Sequence, residues 1–442
     1  MHRIRLAAAA TVLAALAAIP MSGPTAAATT GPPPPSLPQT SAAAAGASWL
    51  AARVTPSGYV ESTTSPGQAD LVATANVVFA LASAGTARTT ALTALGYLAG
   101  HVDAYATAGG QDVPGSLALL ILDAQALGAD PRAFGGADLV ARLQATQVAS
   151  GPDAGLFGAQ DPTWDGTYRQ GLALAALAAV GVTTGGVVAA GVAWLAAQQC
   201  PNGGWTSYIA PANPCDGSPA SYQGPDTNST ALAIQGLAAQ HALGATAAAS
   251  ATRFLSKGQD RDGGWGYEPS APRAPGSTDP DSTALVLQAL LALHVSPSAK
   301  AIGRKGGGPV ASLLASQLVS GADAGAVAFP GIPGADLLAT YQAVPALAGV
   351  TIAYDLPPVA VTKVAPARGP LAGGTTVTIT GTSLYAATGV SFGGTPAASL
   401  TVLSDTTVRA VSPPGTGTVD VTVITPTATS AVSSADRYTY RG

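Results

Sequence analysis

The chain has 442 residues, enough for two or three domains, with 47% hydrophobic residues, only 10% charged residues and a formal net charge of −4. That mild acidity excludes the basic face a nucleic-acid partner needs. The two cysteines, Cys200 and Cys215, stand at no metal-ligand spacing from His101, His241 or His294, so neither a metal nor a cofactor is expected.

Residues 1–28 read as a secretory signal, with Arg3 and Arg5 before an apolar run from Leu6 to Ala18 and a cleavage site at Ala26-Ala27-Ala28. The expectation is an extracellular protein, free or held at the cell surface, with no membrane span once the signal is removed. The uncharged stretch from Gly171 to Ala197 is broken by Thr183-Thr184-Gly185-Gly186 into two runs, each the length of a buried helix. In an exported chain Cys200 and Cys215 pair most simply as one disulfide, whose loop of about 15 residues is worth about 3 kcal/mol in the chain-entropy model. Residues 29–42, with Pro32 to Pro35, read as a linker.

Residues 43–352 hold a repeat. Asp70…Thr74, Asp112…Ser116, Asp165…Arg169, Asp226…Thr230, Asp279…Thr283 and Asp336…Thr340 follow one another at steps of 42 to 61 residues, a period that signals a repeat architecture. Each copy precedes an Ala/Leu-rich helix and follows another helix carrying a bulky residue and Leu, as in Trp49-Leu50, Tyr97-Leu98, Trp194-Leu195 and Phe254-Leu255. Arg142-Leu143 and Leu313-Leu314 depart from the aromatic. The six aspartates are expected to cap the second helices, accepting hydrogen bonds from free first-turn amides. Six helical hairpins with apolar second helices favour closure into an (α/α)6 toroid with those helices inside.

From residue 358 the hydrophobic period changes from helical to two. Val377-Thr378-Ile379-Thr380, Val390-Ser391-Phe392, Val408-Arg409-Ala410-Val411 and Val419 to Val423 read as strands between Gly and Pro turns, an Ig-like β-sandwich over 358–440.

Two loops carry a family pattern: Gln199-Cys200-Pro201-Asn202-Gly203-Gly204-Trp205 and Gln259-Asp260-Arg261-Asp262-Gly263-Gly264-Trp265. They resemble the QW repeat of the prenyltransferase and squalene-oxidase (terpenoid cyclase) superfamily. The resemblance covers residues 43–352 and implies the toroid, without transferring an activity. Asp279-Pro280-Asp281-Ser282-Thr283-Ala284 resembles the Asp-x-Asp-Asp-Thr-Ala motif of class II terpene cyclases, which places the alkene-protonating acid at Asp281 beside Asp279, with Ser282 where the family has a third acid. The run from Pro366 through Gly373-Gly374 to Tyr438-Thr439-Tyr440 resembles the IPT/TIG domain, which implies an accessory module.

Three functions compete. A binding protein, with a glycan, small flat or hydrophobic molecule or surface protein as partner at the loop-rich end, is favoured by the loop aromatics Trp164, Tyr168, Tyr208, Tyr222 and Tyr267. A cyclase-like enzyme uses Asp281, against aromatics at only 5% of the chain. A carbohydrate-active toroid needs paired carboxylates, for which Asp161/Asp165, Asp260/Asp262/Glu268 and Asp279/Asp281 are available.

Overall fold

The computed structural model describes residues 37–161, 164–209, 215, 224–269, 278–297, 302, 307–353, 359–384, 387–404, 406–425 and 429–442. The signal segment and residues 29–36 lie outside them, as does Tyr222. The chain divides into a helical unit ending at Tyr354 and a β unit beyond it.

Among the described residues the helical unit forms thirteen α-helices: α1 (Leu37–Ala51), α2 (Leu71–Ala84), α3 (Arg88–Ala99), α4 (Val102–Ala106), α5 (Pro114–Leu127), α6 (Leu139–Ala145), α7 (Thr167–Ala179), α8 (Gly186–Ala197), α9 (Thr227–Ala239), α10 (Ala245–Gly258), α11 (Pro280–Ala292), α12 (Gly308–Ser316) and α13 (Leu337–Ala348). Residues 37–42, read from sequence as linker, are the first turns of α1.

Burial sorts the helices into two layers. On α2, α7, α9, α11 and α13 nearly every residue is buried; on α8 only Val188, Gly191, Trp194 and Leu195 are. That contrast is why the inner sequences show almost no amphipathic period: apolar on all sides, they pack against neighbours on both flanks. The inner helices α7, α9, α11 and α13 pack in order, and α13 packs on both α2 and α1. Closure is specific. Gln317 Nε2 donates to the carbonyl of Ala42 at 2.8 Å, Trp49 Nε1 donates to Asp323 Oδ1 at 2.9 Å, and Gly46 sits against Val344. The helices form a closed (α/α)6 toroid.

The Asp-x-x-x-Thr signature becomes legible as a joint. Asp70, Asp226, Asp279 and Asp336 occupy N-caps and accept from the amides of Ala73, Ser229, Ser282 and Ala339. One turn on, the threonine hydroxyl accepts from a loop amide: Val60 to Thr74, Trp205 to Thr230, Trp265 to Thr283 and Val327 to Thr340, each at 2.9 Å. Thr74, Thr283 and Thr340 also donate back to the carbonyl of their own aspartate.

Two copies correct the expectation of six caps. In the third repeat Gly166 takes the cap position, and Gln170, with its longer reach, accepts from Phe157 N at 2.8 Å as threonine does elsewhere. The working copy is therefore Gly166…Gln170, one residue later than the sequence alignment. Asp165 instead binds Arg169 at 2.8 Å. In the second repeat the helix starts at Pro114, and Asp112 receives Arg142 at 2.5 Å. Arg142, which stands in the aromatic's place on the outer helix of the third repeat, also reaches Asp103 at 2.8 Å. Short ladders β1 (Val60–Glu61) with β2 (Ala69–Asp70), and β3 (Thr107–Ala108) with β4 (Gln111–Asp112), close the first two loops.

Repeats are joined through glycine and glutamine. Gly58, Gly155, Gly203, Gly263 and Gly325 share φ of 92° to 100°, and a Cβ on each would meet backbone of the next outer helix: Thr93, Ala190, Ser250, Gly308 and Ala45. Only glycine combines that φ with that closeness. Beside them, Gln147 Nε2 donates to the carbonyl of Val187, Gln199 Nε2 to that of Ala247 and Gln317 Nε2 to that of Ala42. The tryptophans bind within their own repeat: Trp205 Nε1 donates to the carbonyl of Leu195 at 2.8 Å and Trp265 Nε1 to that of Leu255 at 2.7 Å. Cys200 and Cys215 are disulfide-bonded, with Cα atoms 5.5 Å apart.

In the β unit, β5 (Ala360–Ala365), β7 (Thr376–Thr382), β10 (Ser399–Ser404) and β11 (Thr407–Val411) make one sheet in the order β10-β11-β7-β5. The other is β6-β13-β12-β8-β9, from β6 (Arg368–Pro370), β8 (Gly389–Phe392), β9 (Thr395–Pro396), β12 (Thr418–Ile424) and β13 (Arg437–Arg441). Period-two burial puts Val377, Ile379, Val408, Ala410, Val421 and Val423 in the core. There Tyr438 meets Phe392 edge-on at 5.2 Å.

The joint is testable. Gly203→Ala is expected to cost at least about 2 kcal/mol, combining left-handed strain with overpacking. Gly181→Ala, also at positive φ (75°) but with open space around it, is expected to cost about 1 kcal/mol. Equal shifts in urea midpoint would refute the close approach between repeats.

Candidate active site at the N-terminal ends of the inner helices

The first turns of the inner helices bring acids and phenols together. Asp281 on α11 keeps only partial exposure, and its Oδ1 is closed from solvent without a hydrogen-bond partner. Burial above all, then the charges of Asp279 and Asp336, hold its carboxyl well above the ordinary aspartate range. Burial therefore favours its protonated form. Its field reaches Tyr341 on α13 and Tyr168 on α7, whose phenols burial pushes up first. Tyr341 also feels the charges of Tyr168, Asp70 and Tyr105.

Asp279 is occupied. Its Oδ1 accepts from Ser282 N at 2.6 Å, and its Oδ2 accepts from Ser282 Oγ and Tyr267 N, each at 3.1 Å. Ser282, standing where the family motif has a third acid, therefore binds the cap. Asp226 is fully buried, and burial raises its pKa to about 6 against the hydrogen bonds of Ser229 and Ser207. Ser207 Oγ links Asp226 Oδ2 at 2.7 Å to the Tyr267 hydroxyl at 2.8 Å.

The five aromatic candidates separate. Tyr168 belongs to the first turn of α7, not to a loop, and is buried beside Asp281 and Asp226. Tyr208 is half-buried between Asp226 and Arg169. Its loop lies so close to α7 that a Cβ on Gly166 would meet the backbone of Ser207 and Tyr208. Tyr267 is half-buried and bound to Ser207, while Trp164 is half-buried in the loop before α7. The carboxylates offered for sugar chemistry serve a turn: Thr278 Oγ1 donates to Asp260 and Asp262, and Glu268 is exposed. Asp161 lies in the loop before Asp165, whose Oδ2 accepts its amide at 3.0 Å.

Sequence reasoning missed Tyr341, Tyr105 and Asp123. Asp123 on α5 is fully buried, and neither carboxylate oxygen has a partner. Burial pushes its pKa well up, and its position inside an otherwise apolar inner helix was the available signal. Among the described residues no three His, Cys, Asp or Glu cluster as metal ligands, and no helix is long and apolar enough to cross a membrane.

Comparison with known proteins matches residues 123–298 to the squalene-hopene cyclase C-terminal domain and residues 358–440 to the IPT/TIG domain. The chain joins a terpenoid-cyclase toroid to an IPT/TIG domain. Among solved structures, the type II terpene cyclase MstE from Scytonema is 17% identical over 71% of this chain and 98% of that one, with a TM-score of 0.48. A protein from Actinoplanes gives 19% identity over 70% and 99%, with a TM-score of 0.44. Candida albicans protein geranylgeranyltransferase-I, complexed with GGPP, gives 13% over 62% and 83%, with a TM-score of 0.42. The plexin A4 extracellular region is 29% identical over 19% of this chain and 8% of that one, with a TM-score of 0.17. A search of curated proteins finds no match.

Asp123 sets a pH dependence. With its pKa raised in the folded chain, it contributes stability that is lost as pH rises from the ordinary aspartate value, near 4, through its folded value. Asp123→Asn is expected to raise the melting temperature more at pH 8 than at pH 5. Equal shifts at both would show that Asp123 is not held neutral.

Proposed function

We propose that the toroid takes an isoprenoid-type molecule into its interior and that Asp281 protonates it, as an acid-initiated cyclase does. The carrying observation is a carboxyl at the end of the inner ring whose Oδ1 is closed from solvent without a partner of its own, and whose pKa burial raises. Protonating an alkene requires an acid that stays protonated until its substrate arrives and is shielded from water. Tyr168 and Tyr341, buried on the inner helices α7 and α13, supply aromatic rings whose π-density would favour a developing cation.

Binding without turnover is the second reading. It is favoured by Tyr208 and Tyr267, half-buried at the same end, and by the absorption of Asp279 and Ser282 into the helix cap. In either case the protein is taken to act outside the cell, with the IPT/TIG domain as an accessory module.

Incubation with squalene and with farnesol in D2O separates the two. Acid initiation places one solvent deuteron on carbon in each product molecule, and Asp281→Asn lowers the rate by about 10²- to 10⁴-fold. Product that lacks deuterium, or that forms as fast from Asp281→Asn, would remove Asp281 as the acid. Binding of either probe with no product would leave the second reading.

A further inference from the structure

The interior carries a second set of unpartnered polar groups. Asp281 stands in the first turn of the inner helix α11, with its Oδ1 closed from solvent. Seven residues on, two helical turns and roughly 10 Å deeper on the same face, stands Gln288. On the neighbouring inner helix α9, Asn228 and Gln235 hold the same two repeat positions. The corresponding pairs in the other repeats, aligned on their cap positions, are Val72/Phe79, Gly115/Leu122, Tyr168/Ala175 and Leu338/Pro345, none an acid or an amide. The polar strip is thus confined to two adjacent helices.

Gln288 is fully buried, and neither its Nε2 nor its Oε1 has a partner. Gln235, 1% exposed, accepts from Ile352 N at 2.9 Å through Oε1, but its Nε2 has none, and neither has Asn228 Oδ1. Two donors and an acceptor at one depth fit a group that both accepts and donates. Such amides are costly to bury unmet.

Charge narrows the class. The first turns of the inner helices and the residues just before them carry Asp70, Asp112, Asp165, Asp226, Asp279, Asp281 and Asp336. The only Lys or Arg on the inner helices, Arg169, is tied to Asp165 at 2.8 Å. Among the described residues a diphosphate would find no free cation there. We infer that the ligand is an isoprenoid alcohol. Its uncharged hydroxyl is held by Gln288 and Gln235, and its apolar chain runs toward Asp281. This assignment rests on the interior being the ligand site, as proposed above.

The test is equilibrium binding by calorimetry to the full chain, with farnesol, farnesene and farnesyl diphosphate as probes. Farnesol is expected to bind at least about tenfold more tightly than either of the others, the scale of one added neutral hydrogen bond. Gln288→Leu and Gln235→Leu are each expected to erase most of that preference and to leave farnesene affinity within about twofold. Gln288→Leu without ligand is expected to melt higher than the parent, which shows that the variant folds. Equal affinity for farnesol and farnesene, tightest binding of the diphosphate, a preference that survives both variants, or no binding of any probe would overturn the assignment. Because binding is read without turnover, failure of Asp281 as an acid leaves the alcohol preference standing. Loss of the preference with deuterium incorporation intact refutes this assignment alone.

Discussion

A hydroxyl one turn into each of four inner helices governs how the toroid is built. A loop that turns sharply into a buried helix must satisfy its own amides and the free amides of the helix start, away from water. Aspartate at the cap meets the helix amides, and threonine four residues later meets the incoming loop amide, as Thr230 does for Trp205 and Thr283 for Trp265. With both ends fixed, the loop glycine settles against the next repeat, and the same step repeated round the ring returns Gly325 to Ala45. Where the hydroxyl is missing, Gln170 performs its task for Phe157, so the constraint persists when the residue changes.

Closure gives the interior its meaning. A ring of helices buried on every side should be uniformly apolar, and along most of α2 and α13 it is. Against that background a carboxyl such as Asp281 or an amide such as Gln288 is a cost the fold does not require. The helix termini add the aspartates of the caps, so the same end that must be capped for folding also becomes acidic. Burial, and then the charges of Asp279 and Asp336, thereby raise the pKa of Asp281. The architecture and the candidate chemistry share one cause.

The repeat, the closed ring and the period-two β unit were legible because each is written as a spacing. Leu50, Leu98, Leu143, Leu195 and Leu255 mark the outer helices and are all fully buried. What escaped depends on local reach. The third copy slips by one residue because a glutamine side chain is longer than a threonine, and no spacing rule carries that length. The second copy hides its cap because Arg142 claims Asp112. Tyr341 lies distant in sequence from Asp281, and only the packing of the ring brings its phenol within reach of that carboxyl's charge. Tyr168 read as a loop aromatic until the helix boundary placed it in the first turn of α7.

The central claim is that Asp281 is a protonated acid at neutral pH. Infrared difference spectroscopy between the parent and Asp281→Asn at pH 7 tests it directly. The account predicts a protonated-carboxyl C=O band in the parent that the variant lacks, shifted to lower frequency in D2O. A difference spectrum showing only the loss of carboxylate bands would contradict it.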